Sequence, residues 1–177
     1  MPNINFTLFS NLTTERLILR QLKINDQQDV FALRSDPKIN KYLGRQPSNT
    51  IEDAINFINK VNENVEKNIA LYWAITVRET KKFVGTICLF DFSDDKNSCE
   101  IGYELMSKFQ GQGIMKEATE VVIEYVFQTL KFKKILAFTH RDNQNSTNLL
   151  TKFNFVKSIE NDKENPYLNI FTLTKQN

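Results

Sequence analysis

Two glycines between an alternating stretch and an amphipathic one constrain this chain more than any other feature. Ser98 to Met106 alternates as a strand does, and Ile114 to Leu130 has helical spacing. Phe109-Gln110-Gly111-Gln112-Gly113-Ile114 joins them. A strand that runs through a glycine loop into a helix start makes an anion site. Free N–H groups point outward there, the helix dipole favours negative charge, and no Cβ blocks close approach. With Gly102 on the preceding strand, this region holds three of the five glycines. A Walker loop needs Gly-Lys-Ser/Thr after four spacers, and none follows. The dinucleotide fingerprint needs a third glycine where Lys116 stands. Taken alone, the pair fits a phosphate site or a tight turn.

The surrounding pattern predicts an α+β domain over residues 1–177. Arg16 to Leu22 reads as a strand. Asn25 or Asp26 caps a helix with Val30, Phe31 and Leu33 inward, and Pro37 opens a short helical piece ended by Gly44 and Pro47. Thr50 to Lys67 is helical, and Thr50 with Asp53 makes a capping box. Ala70 to Arg78, Phe83 to Phe92 and Ser98 to Met106 form a meander, with Asp94, Asp95, Lys96 and Asn97 as its second turn. The best helix follows, with Ala118, Val121, Val122, Tyr125 and Val126 on one stripe and Glu117, Glu120 and Glu124 opposite. Then come a strand from Lys134 to Thr139, a helix from Asn143 to Phe153, and strands at Phe155 to Ile159 and Leu168 to Leu173. The expected architecture is a mixed, mostly antiparallel central sheet with helices on both faces.

Composition excludes several classes. Net charge is +2, too little for an electrostatic case for nucleic acid. No apolar run approaches 18 residues, so no spanning helix and no membrane partner is expected. Met1 to Thr14 is polar and lacks the pattern of a signal peptide. Cys88, Cys99 and His140 offer neither a disulfide scaffold nor a zinc site, so no metal is expected and a reducing, cytoplasmic setting is. Trp73 and the phenylalanine-rich strands read as core, and Arg34 and Arg45 as solvated side chains.

Further motifs flank the glycine loop: Thr14-Glu15-Arg16-Leu17-Ile18-Leu19-Arg20 at the start, Glu100-Ile101-Gly102-Tyr103-Glu104-Leu105 before the loop, and Asp142-Asn143-Gln144-Asn145-Ser146 after the next strand. In these the chain resembles the GNAT superfamily of acetyl-CoA-dependent N-acetyltransferases, especially the ribosomal-protein N-terminal alanine/serine acetyltransferase branch. The resemblance implies the acyl-CoA N-acyltransferase fold, with acetyl-CoA as cosubstrate and an amine acceptor as partner, in a monomer or homodimer. It implies that backbone of Leu105 and Met106 pairs with the pantetheine arm. Backbone of Phe109, Gln110, Gly111, Gln112, Gly113 and Ile114 would cradle the pyrophosphate, and Asn143 and Ser146 would flank the thioester.

The sequence departs from that family at its acid–base pair. The position of the tyrosine acid is Leu150, and that of a glutamate base is Phe138. Ser146 is the substitute expected to hydrogen-bond the leaving sulfur, and a backbone N–H of Leu105 or Met106 the oxyanion donor. Glu104, sharing a strand face with Glu100, is expected to hold the amine; Glu100, His140 and water are the alternative bases. An α-amine of pKa near 8 is about one-tenth neutral at pH 7, whereas a lysine amine near 10.4 is roughly two and a half units worse. A site without a strong base therefore suits a protein or peptide α-amine. A polyamine or aminoglycoside, or a non-catalytic CoA-binding module, are the competing readings.

Overall fold

The computed structural model describes residues 9–95 and 97–176, so Lys96 of the second meander turn and the first eight residues lie outside it. An eight-stranded sheet organises the chain. Its strands are β1 (Leu12–Thr13), β2 (Leu17–Gln21), β3 (Leu71–Val77), β4 (Phe83–Phe90), β5 (Ser98–Leu105), β6 (Lys134–His140), β7 (Val156–Asn161) and β8 (Leu168–Thr174). They lie in the order β1-β2-β3-β4-β5-β6-β8-β7. Every neighbouring pair is antiparallel except β5 and β6. Among the described residues no helix is long and apolar enough to cross a membrane.

Period-two alternation sends the strands' side chains to two faces. On one face Leu19, Trp73, Ile75, Ile87, Leu89 and Ile101 pack against α4 (Ile114–Glu124) and α5 (Gln144–Lys152). On the other, Ala74 and Phe83 join α1 (Gln27–Ser35) and α3 (Ile51–Glu66), through Val30, Leu33, Ala54 and Ile58. Between α1 and α3 runs the short α2 (Pro37–Asn40). Helices on both faces of a mixed sheet are what the sequence pattern predicts.

Local differences have local causes. Asp26 does not cap α1 with its side chain; its carboxylate accepts two hydrogen bonds from Arg20, at 2.8 and 2.7 Å, and one from the Lys23 N–H. A charge-assisted bidentate pair outcompetes a single capping bond. The capping box of α3 forms as expected, between Thr50 and Asp53. The helix expected to run from Ile114 to Leu130 is α-helical only to Glu124 and widens to a π turn over Tyr125–Leu130. The consecutive residues Tyr125 and Val126 of that turn are both in the core, where Tyr125 meets Trp73 edge-on.

Candidate active site

Beside β6, the sheet is open. β5 and β6 pair at Ser98↔Lys134, Cys99↔Ile135 and Glu100↔Leu136 and then separate, while β5 stays paired to β4 up to Leu105 and β6 stays paired to β8 up to His140. The backbone edge of β5 beyond Glu100 therefore faces a gap. The Met106 N–H donates to the Val84 carbonyl at 2.9 Å, so alternation along the antiparallel pair turns the N–H groups of Tyr103 and Leu105 toward the gap. Met106 is thus removed as an oxyanion donor, because its only N–H is already spent within the sheet. Leu105 remains, and its carbonyl accepts from the Gln110 side chain at 3.2 Å. An extended ligand carrying amides can add to such an edge as a strand would.

The glycine loop closes one end of the gap. Phe109 and Gln110 donate their N–H groups to the Met106 and Ser107 carbonyls in a 3₁₀ turn, so neither is free for the phosphate contact expected of it. Gly111 and Gly113 hold φ of 75° and 74°, a left-handed conformation that costs little only for glycine. The first intrahelical bond of α4 runs from the Glu117 N–H to the Gly113 carbonyl at 3.1 Å, leaving the N–H groups before it to point outward.

The acidic Glu117 in that first turn would repel an anion, but its charge is engaged. It accepts from the Thr14 hydroxyl, from the Arg16 N–H at 2.9 Å and from Arg16 Nε at 2.6 Å. Arg16 also donates to the Gln112 carbonyl at 3.1 Å, which places a guanidinium against the loop. Thr14 and Arg16 thus tie the sheet's first edge to the glycine loop and the start of α4.

Across the gap stands α5. Asn143 is its N-cap, and its side-chain oxygen accepts from the Ser146 N–H at 3.2 Å. The Ser146 hydroxyl lies 2.8 Å from the Tyr103 hydroxyl. Burial pushes the Tyr103 phenol up to about 12, with the Ser146 hydrogen bond opposing the rise, so it stays protonated at neutral pH. Sequence reading did not single out Tyr103. The signal was present in its parity with Ile101 and Leu105, which puts its ring on the α5 side. Leu150, at the position of the absent tyrosine acid, is fully buried.

On the opposite face lie the two β5 carboxylates. Glu104 is ion-paired with Arg45, which is itself mostly buried, and Arg34 lies over the Phe57 ring at 3.7 Å. Neither arginine is the solvated side chain expected, because both reach into the layer between α1, α3 and the sheet. Glu100 lines a groove of about 1020 Å³ between α3 and β3–β5, together with Phe57, Tyr72, Cys88 and Phe90. Burial, and then Asp91 and Asp162, push its carboxyl up to about 7. Gly102 turns its missing side chain to this groove as well, where a Cβ would meet Cys88 Sγ at 3.2 Å and Phe90 at 3.3 Å. His140 closes β6 between the rings of Tyr42 and Tyr167, and its Nδ1 accepts from the Asp142 N–H at 3.2 Å. Among the described residues no group of three metal-ligating side chains occurs.

The acetyltransferase (GNAT) domain family matches residues 16–156 of this chain. The uncharacterized N-acetyltransferase YoaA of Bacillus subtilis is 33% identical over 150 residues, covering 85% of each chain. The ribosomal protein uS5-alanine N-acetyltransferase of Escherichia coli is 25% identical over 158 residues, which cover 82% of this chain and 78% of that one. A solved structure of a ribosomal α-N-protein acetyltransferase in complex with coenzyme A superposes with a TM-score of 0.81 at 16% identity, covering 93% of this chain and 98% of its own.

Proposed function

This chain belongs to the acetyltransferase (GNAT) family and is an N-acetyltransferase, and from that premise we propose that it moves an acetyl group from acetyl-CoA to the α-amine of a protein or peptide. The observation that carries this reading is the gap between β5 and β6, with a glycine-loop helix start at one end and the Tyr103–Ser146 pair across it. Gly111 to Ile114 would hold the pyrophosphate on bare backbone, with Arg16 beside it. The Leu105 edge would pair with the amides of the pantetheine arm. Acetyl-CoA, when bound, supplies a thioester whose carbonyl carbon is open to attack.

The amine nitrogen attacks that carbon, forming the C–N bond, and the C–S bond then breaks. The Leu105 N–H stabilises the oxyanion. Tyr103 donates to Ser146 Oγ, which leaves the serine's own proton free to hydrogen-bond the departing sulfur; the thiolate then takes a proton from solvent. Asn143 acts by fixing the first turn of α5 and hence the position of Ser146. Glu100, half-ionised near neutral pH, takes the proton released by the amine through a chain of waters along the groove, a task for which a pKa near the working pH is favourable. The acceptor class follows from the modest base and from two similar proteins, a ribosomal protein uS5-alanine N-acetyltransferase and a ribosomal α-N-protein acetyltransferase.

A CoA-release assay over alanyl and seryl peptides, a polyamine and an aminoglycoside tests the reading. Peptide turnover that falls when Ser146→Ala is introduced supports it; turnover of the polyamine or aminoglycoside alone would overturn the acceptor assignment.

A further inference from the structure

We infer that Arg45 and Glu104 form a two-point recognition site for an acceptor amine whose neighbouring carbon bears a carbonyl, as a peptide N-terminus does. The inference rests on the α-amine reading above. Glu104 lies on β5 four residues past the last β5–β6 pair, on the face of α1 and α3, whereas Tyr103 and Ser146 serve the other face. The sheet is open between them, so an acceptor on the Glu104 side and a donor on the Tyr103 side can meet through it.

Arg45 reaches Glu104 from the segment between α2 and α3, and its approach is fixed. Its Nε donates to Asn40 Oδ1 at 2.9 Å, and the Asn40 amide in turn donates to the Arg34 and Asp36 carbonyls at 2.7 and 3.0 Å. The ion pair is made end-on, through Nη1 and Oε1 alone. Glu104 Oε2 and Arg45 Nη2 are buried and have no hydrogen-bond partner among the described residues. A buried charged donor and a buried charged acceptor left unmade are costly, and here they stand beside the same contact.

The orphaned pair specifies its ligand. Oε2 needs an N–H, and Nη2 needs an acceptor. An α-amine and the carbonyl of the same residue supply both, three bonds apart. A polyamine offers only donors and would leave Nη2 unmet. Charge also matters. A lone carboxylate would hold the acceptor as an ammonium ion, which cannot attack a thioester; the paired guanidinium cancels that pull and favours the neutral amine. The groove lies on the same face: Tyr72 lines it, and the Tyr72 hydroxyl bonds Thr86, the residue opposite Glu104 on β4.

The test compares an alanyl tripeptide with the same peptide whose first carbonyl is reduced to a methylene, in wild type and in Arg45→Met. Wild type is expected to prefer the intact peptide at least about tenfold in kcat/KM, and Arg45→Met to reduce that preference to within about twofold. Equal use of both peptides by wild type, or an equal loss on both in Arg45→Met, would overturn the inference while leaving the α-amine reading in place. Should wild type turn over neither peptide while another amine is acetylated, the α-amine reading itself fails. If Arg45→Met does not fold, Asn40→Ala, which releases the hold on Arg45 Nε, takes its place with the same expected loss of preference.

Discussion

The Tyr103 and Ser146 hydroxyls are joined by a 2.8 Å hydrogen bond that runs from β5 to the first turn of α5, across the mouth of the sheet's opening. Removing Ser146 with Ser146→Ala is expected to lower kcat about a hundredfold, within the usual range for a positioned proton donor, with little change in the KM for acetyl-CoA. Tyr103→Phe should cost about tenfold. In the double variant the losses should not multiply, because Tyr103 acts through Ser146. Steady-state CoA release for the four proteins measures this; multiplicative losses would separate the two residues.

Glu100 ties activity and stability to pH. Its folded value of about 7 stands above the 4.5 of an ordinary glutamate, so the fold favours the protonated form. The stability this contributes is fully present below about pH 4.5 and is lost as pH rises through 7. Discounted for solvent screening at a half-exposed site, the loss is about 1 kcal/mol, or roughly 2–4 °C in Tm. Glu100→Gln should remove that fall between about pH 4.5 and 7 in thermal unfolding. It should also remove the kcat/KM limb near pH 7 while leaving the acceptor's own limb near 8.

Glycine loop variants separate cofactor binding from chemistry. Gly113→Ala places a Cβ on a backbone with φ of 74°, a strain of about 1–2 kcal/mol. If the loop relaxes, the N–H groups lose their aim. The KM for acetyl-CoA should rise about tenfold, with kcat changed less. An unchanged KM would take the pyrophosphate away from this loop.

Gly85 answers to a different constraint. A Cβ there would sit 2.2 Å from the Glu104 carbonyl oxygen, and the obstacle is backbone that cannot swing aside. Gly85→Ala should therefore force β4 and β5 apart, lowering Tm by several degrees and weakening acetyl transfer together. A variant that keeps wild-type Tm would show the strands able to yield.

Much of this arrangement is legible in the sequence because it is written in local patterns. The period-two stretches and the helix stripes give the elements, Thr50 and Asp53 announce their own capping box, and Gly111 and Gly113 mark a loop held at positive φ. What sequence reading misses is pairing at long range. Nothing local says that Arg45 meets Glu104, that Arg16 and Thr14 neutralise Glu117, or that Tyr103 finds Ser146, since each partner is many residues away. Met106 fails for a subtler reason. Its N–H direction depends on its register with Val84, and one residue's shift reverses it.

The junction of β5 and β6 rests on three residue pairs, Ser98 to Glu100 against Lys134 to Leu136. Mechanically the sheet is a book with a short spine: β1 to β5 form one leaf, and β6, β8 and β7 the other. A ligand laid along the open edge would act as a second binding for that spine. Its presence would then be felt in hydrogen exchange at β6 and β8, well away from the atoms that react.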